Sequence, residues 1–234
     1  MPTSSKAKQT KSGQALPRLS EHVYESLIEM ILKGTLPPGQ PVSELELART
    51  LKVSRTPVHE AIKQLVKDGL VSQSANRRPV VVAFGSEDIQ DVYEMRKILE
   101  SAAAAKAARQ IDLQTLARLE EALEQFRKQF KRAGAIKRWV KFDDEFHAAI
   151  ATASGSARLA ADIHRYRQLH RVFNRTHTDA TVLKQAVDEH ERILTAIKKR
   201  DSDEASEAMR AHLEEWQRFF VNHLRQKGGA LCKP

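Results

Sequence analysis

The chain has 234 residues, of which 41% are hydrophobic, and it carries a formal net charge of +9 at pH 7. It is long enough for two modest domains or one large domain with a real core, and its excess of basic residues is compatible with a nucleic-acid partner. The single cysteine, Cys232, excludes an internal disulfide bond, and no apolar run approaches the roughly 20 residues of a membrane span, so we expect a cytoplasmic protein.

The N-terminal segment divides into a polar tail and a first helix. Residues 1 to 17 are rich in Ser, Lys, Thr and Gln, and this composition predicts a disordered basic tail. From residue 19 to 33 the apolar residues recur at the spacing of one helical face, which predicts an amphipathic helix. The Gly and Pro residues between positions 34 and 39 end it.

Residues 43 to 82 have the layout of a winged helix-turn-helix DNA-binding domain. Ser43, with Glu46 three residues later, forms a capping box that starts a short helix. A brief turn leads to Ser54, whose hydroxyl is expected to cap a second helix, and Gly69 ends that helix in a left-handed conformation. Residues 70 to 73 and 79 to 83 are strand-like, which completes a β-hairpin wing.

The polar residues of this region are placed to meet DNA. When the second helix turns its apolar stripe inward, Arg55, Thr56 and His59 face outward, and Arg77 and Arg78 lie at the tip of the hairpin. A helix of this kind enters the major groove while a basic tip meets phosphate or the minor groove. A structural three-helix unit and a protein-binding winged helix have the same pattern and remain alternatives.

The run LPPGQPVSELELARTLKVSRTPVHEAIKQLVKDGLV resembles the DNA-binding domain of GntR-family transcriptional regulators. The resemblance implies a domain over residues 18 to 84 in which Arg55 and Thr56 contact operator bases or backbone, with Ser54 and the two hairpin arginines in support. His59 stands where the family usually has an arginine, and Pro79 stands where a glycine usually follows the basic pair. A histidine lacks the bidentate fork of arginine, so the operator preference of relatives does not carry over.

The remainder of the chain reads as an antiparallel bundle of roughly six helices, followed by a short tail at residues 227 to 234. Ser86 is expected to cap the first of these helices, and no strand-like alternation interrupts them. The overall expectation is a mainly α protein with an N-terminal winged helix-turn-helix. The predicted helices of the bundle cover residues 87 to 109, 112 to 132, 136 to 153, 157 to 175, 181 to 199 and 202 to 226.

Four polar residues of the bundle occupy inward stripes where apolar residues belong: Asp143, His147, His190 and His212. If they converge, a carboxylate and three imidazoles suit a divalent metal ion, and the residue types do not choose among Zn, Ni, Fe and Mn. The alternative is that each is a core residue with an ordinary hydrogen bond. Three other histidines compete for such a role, namely His164, His170 and His177.

The segments DDEFHAAIATASG, EHERILTAI and MRAHL resemble the FCD effector domain of the FadR branch of the GntR family. Many members of that branch bind metal through an Asp, a His four residues later and two further His, which implies Asp143, His147, His190 and His212 as the ligands. The resemblance covers about residues 87 to 224.

Arg96 is the candidate effector-binding residue. From the residues alone, Val92, Met95 and Leu99 form the inward stripe of their helix, and Arg96 at its edge forms a surface ion pair with Glu100. The resemblance instead implies that Arg96 faces a pocket and binds an effector carboxylate. A second basic run, with Arg165, Arg167 and Arg171, either adds to this effector site or forms a solvated face, and the sequence does not choose between the two.

Together these features predict a transcriptional regulator that binds DNA and senses a small organic acid, and the resemblance implies a homodimer that binds a palindromic operator. No catalytic residue is assigned and no enzymatic activity is expected. Two alternatives remain at this point: a metal-dependent hydrolytic enzyme, and a dimeric DNA-binding protein with a purely structural metal. The effector, the metal and the operator sequence are left open.

Overall fold

The computed structural model describes residues 16–83, 85–177 and 182–226, and the chain forms two compact units that divide between Val82 and Ala83. Residues 1 to 15 of the predicted N-terminal tail, the predicted tail at residues 227 to 234 and the side chain of His177 lie outside the described part. The first helix begins at Leu16, so the last two residues assigned to the N-terminal tail belong to a helix instead.

The N-terminal unit contains a three-helix core followed by a two-stranded antiparallel hairpin. The strands are shorter than predicted, with Val71 opposite Val81 and Ser72 opposite Val80. Its elements are α1 (Leu16–Leu32), α2 (Glu44–Leu51), α3 (Arg55–Lys67), β1 (Val71–Ser72) and β2 (Val80–Val81). The winged helix-turn-helix architecture is therefore confirmed.

The helix caps follow the sequence only in part. Ser43 caps α2, since its Oγ accepts a hydrogen bond from the backbone N–H of Glu46 at 3.4 Å, and Gly69 has the expected positive φ of +80°. The prediction for Ser54 is wrong, because its side chain makes no capping hydrogen bond to α3. The prediction for Ser86 is also wrong: Gly85 is the N-cap, and its N–H donates to the carboxylate of Asp88 at 2.7 Å.

The C-terminal unit is an all-helical bundle, as predicted, and α4 lies at its centre. Helices α6, α7, α8 and α9 all pack against α4, while α5 packs against α6 and α8. The bundle consists of α4 (Ser86–Gln110), α5 (Leu113–Gln129), α6 (Ala135–Ala153), α7 (Ala157–His177), α8 (Leu183–Lys198) and α9 (Ser202–Gln226).

The buried face of α4 differs from the predicted one. Met95 is 37% exposed, whereas Tyr93, Arg96 and Glu100 are buried together with Val92. Relative to the prediction, the buried face is thus rotated by about one residue, and the charged side chains of Arg96 and Glu100 lie in the core of the bundle. None of the described helices is long and apolar enough to span a membrane.

Candidate functional site

The four predicted ligands come together inside the bundle. Asp143 and His147 lie one turn apart on α6, His190 projects from α8 and His212 from α9, and all four are buried. One nitrogen or oxygen atom from each residue lies within 4.8 Å of the others. The inward stripes of three helices therefore meet at a single point.

Each of the three histidines has its Nδ1 engaged on the outer side of this cluster. His190 Nδ1 donates to the carbonyl oxygen of Ala186 at 2.8 Å, His147 Nδ1 lies 2.5 Å from Glu100 Oε2, and His212 Nδ1 lies 2.8 Å from Glu189 Oε2. A carbonyl or carboxylate oxygen can only accept, so these contacts place the proton on Nδ1. The Nε2 atoms are left as lone-pair donors that face the centre of the cluster.

The inner nitrogens are not satisfied by the protein. Among the described residues, the buried Nε2 atoms of His147 and His190 have no hydrogen-bond partner. They lie 3.6 and 3.3 Å from Asp143 Oδ1, and neither contact has the geometry of a hydrogen bond. Burial lowers the pKa of His190 and, together with the neighbouring imidazoles, holds the pKa of His212 well below its ordinary value. Imidazoles with unsatisfied Nε2 atoms around a carboxylate oxygen form a site that a cation satisfies.

The carboxylate of Asp143 is oriented by Arg167, which the sequence analysis named only as a member of a basic run and not as a partner of the candidate ligands. Arg167 Nη2 donates to Asp143 Oδ2 at 2.8 Å, while Oδ1 faces the histidines. Burial raises the pKa of Asp143, but Arg167 and the surrounding histidines together outweigh it and hold this pKa well below the usual range. Arg167 is only 4% exposed, so the interpretation of its basic run as a solvated face is wrong at this position.

His170 lies behind the same carboxylate instead of competing with the four clustered residues. Its Nε2 is 3.6 Å from Asp143 Oδ2, and its Nδ1 lies 2.9 Å from the hydroxyl of Tyr93. Burial lowers the pKa of His170 to about 3, so the ring is neutral. The sequence analysis named Arg167 and His170 but did not assign them to this position behind Asp143. The signal for it is the spacing of Ile163, Arg167 and His170, which is that of one inward helical stripe.

Glu100 and Glu189 are the other two residues that the sequence missed as parts of the site. The carboxylate of Glu100 bridges two residues: its Oε1 accepts a hydrogen bond from Arg96 Nε at 2.6 Å, and its Oε2 accepts one from His147 Nδ1. Burial raises the pKa of Glu100, but Arg96 and His147 outweigh it and hold the pKa well below its ordinary value. Glu189 accepts from Trp216 Nε1 at 3.1 Å as well as from His212, and burial raises its pKa.

Arg96 is buried beside the cluster, with 1% of its surface exposed, so the interpretation as a surface ion pair is wrong. Its guanidinium carbon lies 4.9 Å from the centre of the Tyr93 ring. It lines a cavity of about 10 Å³, which has room for about one water molecule. The other lining residues are Tyr93, Trp139, Asp143, His170, His212 and Trp216.

The predicted DNA-contacting residues of the N-terminal unit are exposed. Arg55, Thr56 and His59 lie on the outer face of α3 after the exposed Ser54. Glu44 at the start of α2 was not predicted, yet it accepts from Arg55 Nη2 at 3.2 Å and contacts His59 Nδ1 at 2.7 Å. The pKa of the Glu44 carboxyl is lowered, and the hydrogen bond from His59 is the largest cause.

The two hairpin arginines, Arg77 and Arg78, are also exposed and lie in the connection between β1 and β2. Asn76 immediately before them has a φ of +60°, a left-handed conformation that Asn tolerates better than most residues. The basic tip is thus presented by a tight turn at the end of the wing.

Comparison with known proteins agrees with both units. Residues 19–82 match the family described as bacterial regulatory proteins, gntR family, and residues 91–215 match the FCD domain. The HTH-type transcriptional regulator YdhC of Bacillus subtilis is 29% identical over 194 residues, which cover 81% of this chain and 85% of YdhC. The HTH-type transcriptional repressor RspR of Escherichia coli is 28% identical over 216 residues, covering 89% of this chain and 91% of RspR.

Among solved structures, McbR/YncC of E. coli has the same fold, with a TM-score of 0.72 at 22% identity over 88% of this chain and 98% of that one. The family and these named relatives are transcriptional regulators and not enzymes, which removes the hydrolytic alternative. The chain therefore belongs to the GntR family of DNA-binding transcriptional regulators, with an N-terminal helix-turn-helix domain and a C-terminal FCD domain.

Proposed function

We propose that this regulator is controlled by a divalent metal ion and a small carboxylate that bind together in its FCD domain. The observation that carries the proposal is the convergence of four buried ligand atoms, with Nε2 of His147 and His190 unsatisfied and every Nδ1 engaged elsewhere. Such outer contacts orient the histidine ligands of metal sites. A core of ordinary hydrogen-bonded histidines has no reason to leave two buried nitrogens facing one carboxylate oxygen.

Asp143, His147, His190 and His212 would hold the metal, and Zn, Ni, Fe and Mn all accept this mixture of nitrogen and oxygen ligands. A bound divalent ion supplies a positive charge that attracts an anionic oxygen ligand. Arg167 keeps the carboxylate of Asp143 ionised and turned toward the histidines, so the site is arranged before any ion arrives.

The effector-binding residue would be Arg96, which lines the cavity together with Asp143 and His212. Its guanidinium offers planar, paired donors that suit a carboxylate. The cavity has a volume of only about 10 Å³, so even a small organic acid requires the surrounding side chains to move. Binding of the acid therefore changes how the helices of the bundle pack. A ligand can drive a conformational change only through such a difference between the two states.

The DNA-binding function would be carried by a domain spanning residues 18 to 84. Arg55, Thr56 and His59 face the operator from α3, with Ser54 at its N-terminus and the hairpin arginines on the DNA backbone. In a homodimer, two such units bind the two halves of a palindromic operator. Effector binding then changes operator affinity by favouring one arrangement of the dimer.

The metal content of the purified protein tests the site. We expect a near-stoichiometric divalent metal by mass spectrometry in the wild type, its loss in His190→Ala, and its retention in His164→Ala, which changes an exposed histidine on α7. A wild type that contains no metal and takes up none when the four candidate ions are added would contradict the proposal.

Thermal unfolding with a panel of small organic acids tests the effector. An acid that binds the native protein raises its melting temperature, and Arg96→Lys is expected to reduce that rise while retaining metal, because lysine keeps the charge beside Glu100 but loses the planar fork. Arg165→Lys changes an exposed arginine on α7 and serves as the control. If Arg96→Lys responds to the acids as the wild type does, Arg96 does not bind the effector; if no acid raises the melting temperature of the metal-loaded wild type, the metal is structural.

A further inference from the structure

Helix α4 has an exposed apolar stripe on the side opposite Arg96 and Glu100. Met95 and Ile98 are 37% and 59% exposed, Ala102 is exposed, and Ala105 is half-buried. The gaps between these positions are three, four and three residues, which is the spacing of a helix seam that packs against another helix. Exposed Met and Ile side chains side by side are a recurrent feature of protein interaction surfaces.

The charges around this stripe are arranged with opposite signs at its two ends. Asp91 and Glu94 lie at the N-terminal end, Lys106 and Arg109 lie at the C-terminal end, and all four are exposed. The positions are symmetric about the centre of the stripe: Asp91 precedes Met95 by four residues, and Arg109 follows Ala105 by four. If the helix is read in the opposite direction, the apolar positions therefore coincide with themselves, and each acidic position coincides with a basic one.

This symmetry is what a two-fold interface between identical helices requires. When two copies of α4 pair antiparallel, each position faces its mirror position across the axis. Met95 then faces Ala105 and Ile98 faces Ala102, so a large side chain meets a small one along the whole seam. At the ends, Asp91 faces Arg109 and Glu94 faces Lys106, which pairs opposite charges, whereas parallel pairing of two copies would place like charges side by side.

We propose that the exposed stripe of α4 is the dimer interface of the FCD domain, occupied by α4 of a second copy of this chain in antiparallel orientation. The inference rests on the homodimer of the proposed function and specifies how it forms. It also gives α4 two faces with different tasks, because the opposite face contributes Arg96 and Glu100 to the candidate effector site. A ligand that shifts or rotates α4 therefore acts directly on the contact between the copies.

The first test is the oligomeric state of Ile98→Glu, measured by sedimentation equilibrium on the full chain. The substitution places two carboxylates close to the two-fold axis, and we expect the dissociation constant of the dimer to rise by about 100-fold or more. Leu113→Glu is the matched control, since Leu113 is an apolar residue that is 75% exposed on α5. Circular dichroism and retention of bound metal verify that both variants are folded.

The second test uses charge reversal and depends only on surface residues. Asp91→Arg and Arg109→Asp should each weaken the dimer by about 10-fold, because each places like charges opposite one another in both symmetric pairs. The double variant Asp91→Arg with Arg109→Asp should restore the wild-type dissociation constant. This rescue is specific to antiparallel pairing in the stated register.

The outcomes separate the interface from the wider proposal. A wild type that is dimeric, with Ile98→Glu dimeric to the same extent and no rescue by the charge-reversed pair, overturns the α4 interface but leaves the homodimer intact. A wild type that is monomeric at micromolar concentration overturns the interface and the homodimer together. In either case, metal binding and acid binding are measured in separate assays, and only those assays test the candidate effector site.

Discussion

Glu100→Gln is the substitution that most directly tests how the candidate metal site is built. The carboxylate of Glu100 accepts from Arg96 Nε with one oxygen and from His147 Nδ1 with the other. Glutamine has a single oxygen acceptor, and its amide group is a donor. If the amide faces Arg96, two donors oppose each other; if it faces His147, the imidazole must move its proton to Nε2, which removes the lone pair that a metal requires.

The expected magnitude follows from these contacts. Loss of the carboxylate that orients a histidine ligand typically lowers metal affinity by 10- to 100-fold, and we expect Glu100→Gln to fall in that range. Stability should also fall, because Arg96 is 1% exposed and loses its charged partner. Breaking a buried ion pair from one side costs about 3–5 kcal/mol, and the neutral amide reduces this toward about 2–3 kcal/mol by retaining one hydrogen bond.

Competition titration with a chromophoric chelator measures the metal affinity. Urea unfolding of the protein after a chelator has removed the metal measures the free energy of unfolding. Glu121→Gln, the same change at an exposed position of α5, serves as the control and should match the wild type in both assays. If Glu100→Gln remains folded and binds metal with wild-type affinity, the reasoning that Glu100 sets the proton position on His147 is refuted.

The remaining predictions concern the fold, the metal and the DNA-binding unit. Gly69→Ala should lower the free energy of unfolding by about 1 kcal/mol in urea denaturation, because φ is +80° there while the added methyl group has open space around it. Removing metal with a chelator should lower the melting temperature, and re-addition should restore it; an unchanged melting temperature would speak against binding to the native state. Arg55→Ala should cost about 1–3 kcal/mol of operator affinity and relax base preference, measured by fluorescence anisotropy on matched and mutated operators. Arg77→Ala should weaken binding to all sequences alike and reduce the salt dependence by about one counterion; a sequence-selective loss would indicate base contact instead.

Much of the architecture follows from local features of the sequence. The capping residue Ser43, the glycine at position 69 and the period of the apolar residues identify α2 and α3, because these signals act within a few residues of one another. The same period identifies the inward stripes of α6, α8 and α9 and hence the polar residues on them. The pattern left open whether these stripes meet at one point, and the packing of the helices brings one ligand atom from each of the four residues within 4.8 Å of the others.

The buried face of α4 could not be obtained in this way. Its apolar residues, including four consecutive alanines at positions 102 to 105, are distributed around the helix and define no single face. Four other helices pack around α4, and only their arrangement decides that Arg96 is buried and Met95 exposed. A helix at the centre of a bundle is contacted on most sides, so its own pattern carries little information about orientation.

The charged residues of the site show the same limit most clearly. A run such as that around Arg167 reads as a solvated surface because a charge is costly to bury without a partner. The partner here is Asp143, which lies 24 residues earlier on another helix, and no local signal connects the two. The sequence alone determined which helices form and, for the amphipathic helices, which face avoids water. The tertiary structure decided the buried face of α4 and which buried charges are compensated, because both depend on atoms brought together only by packing.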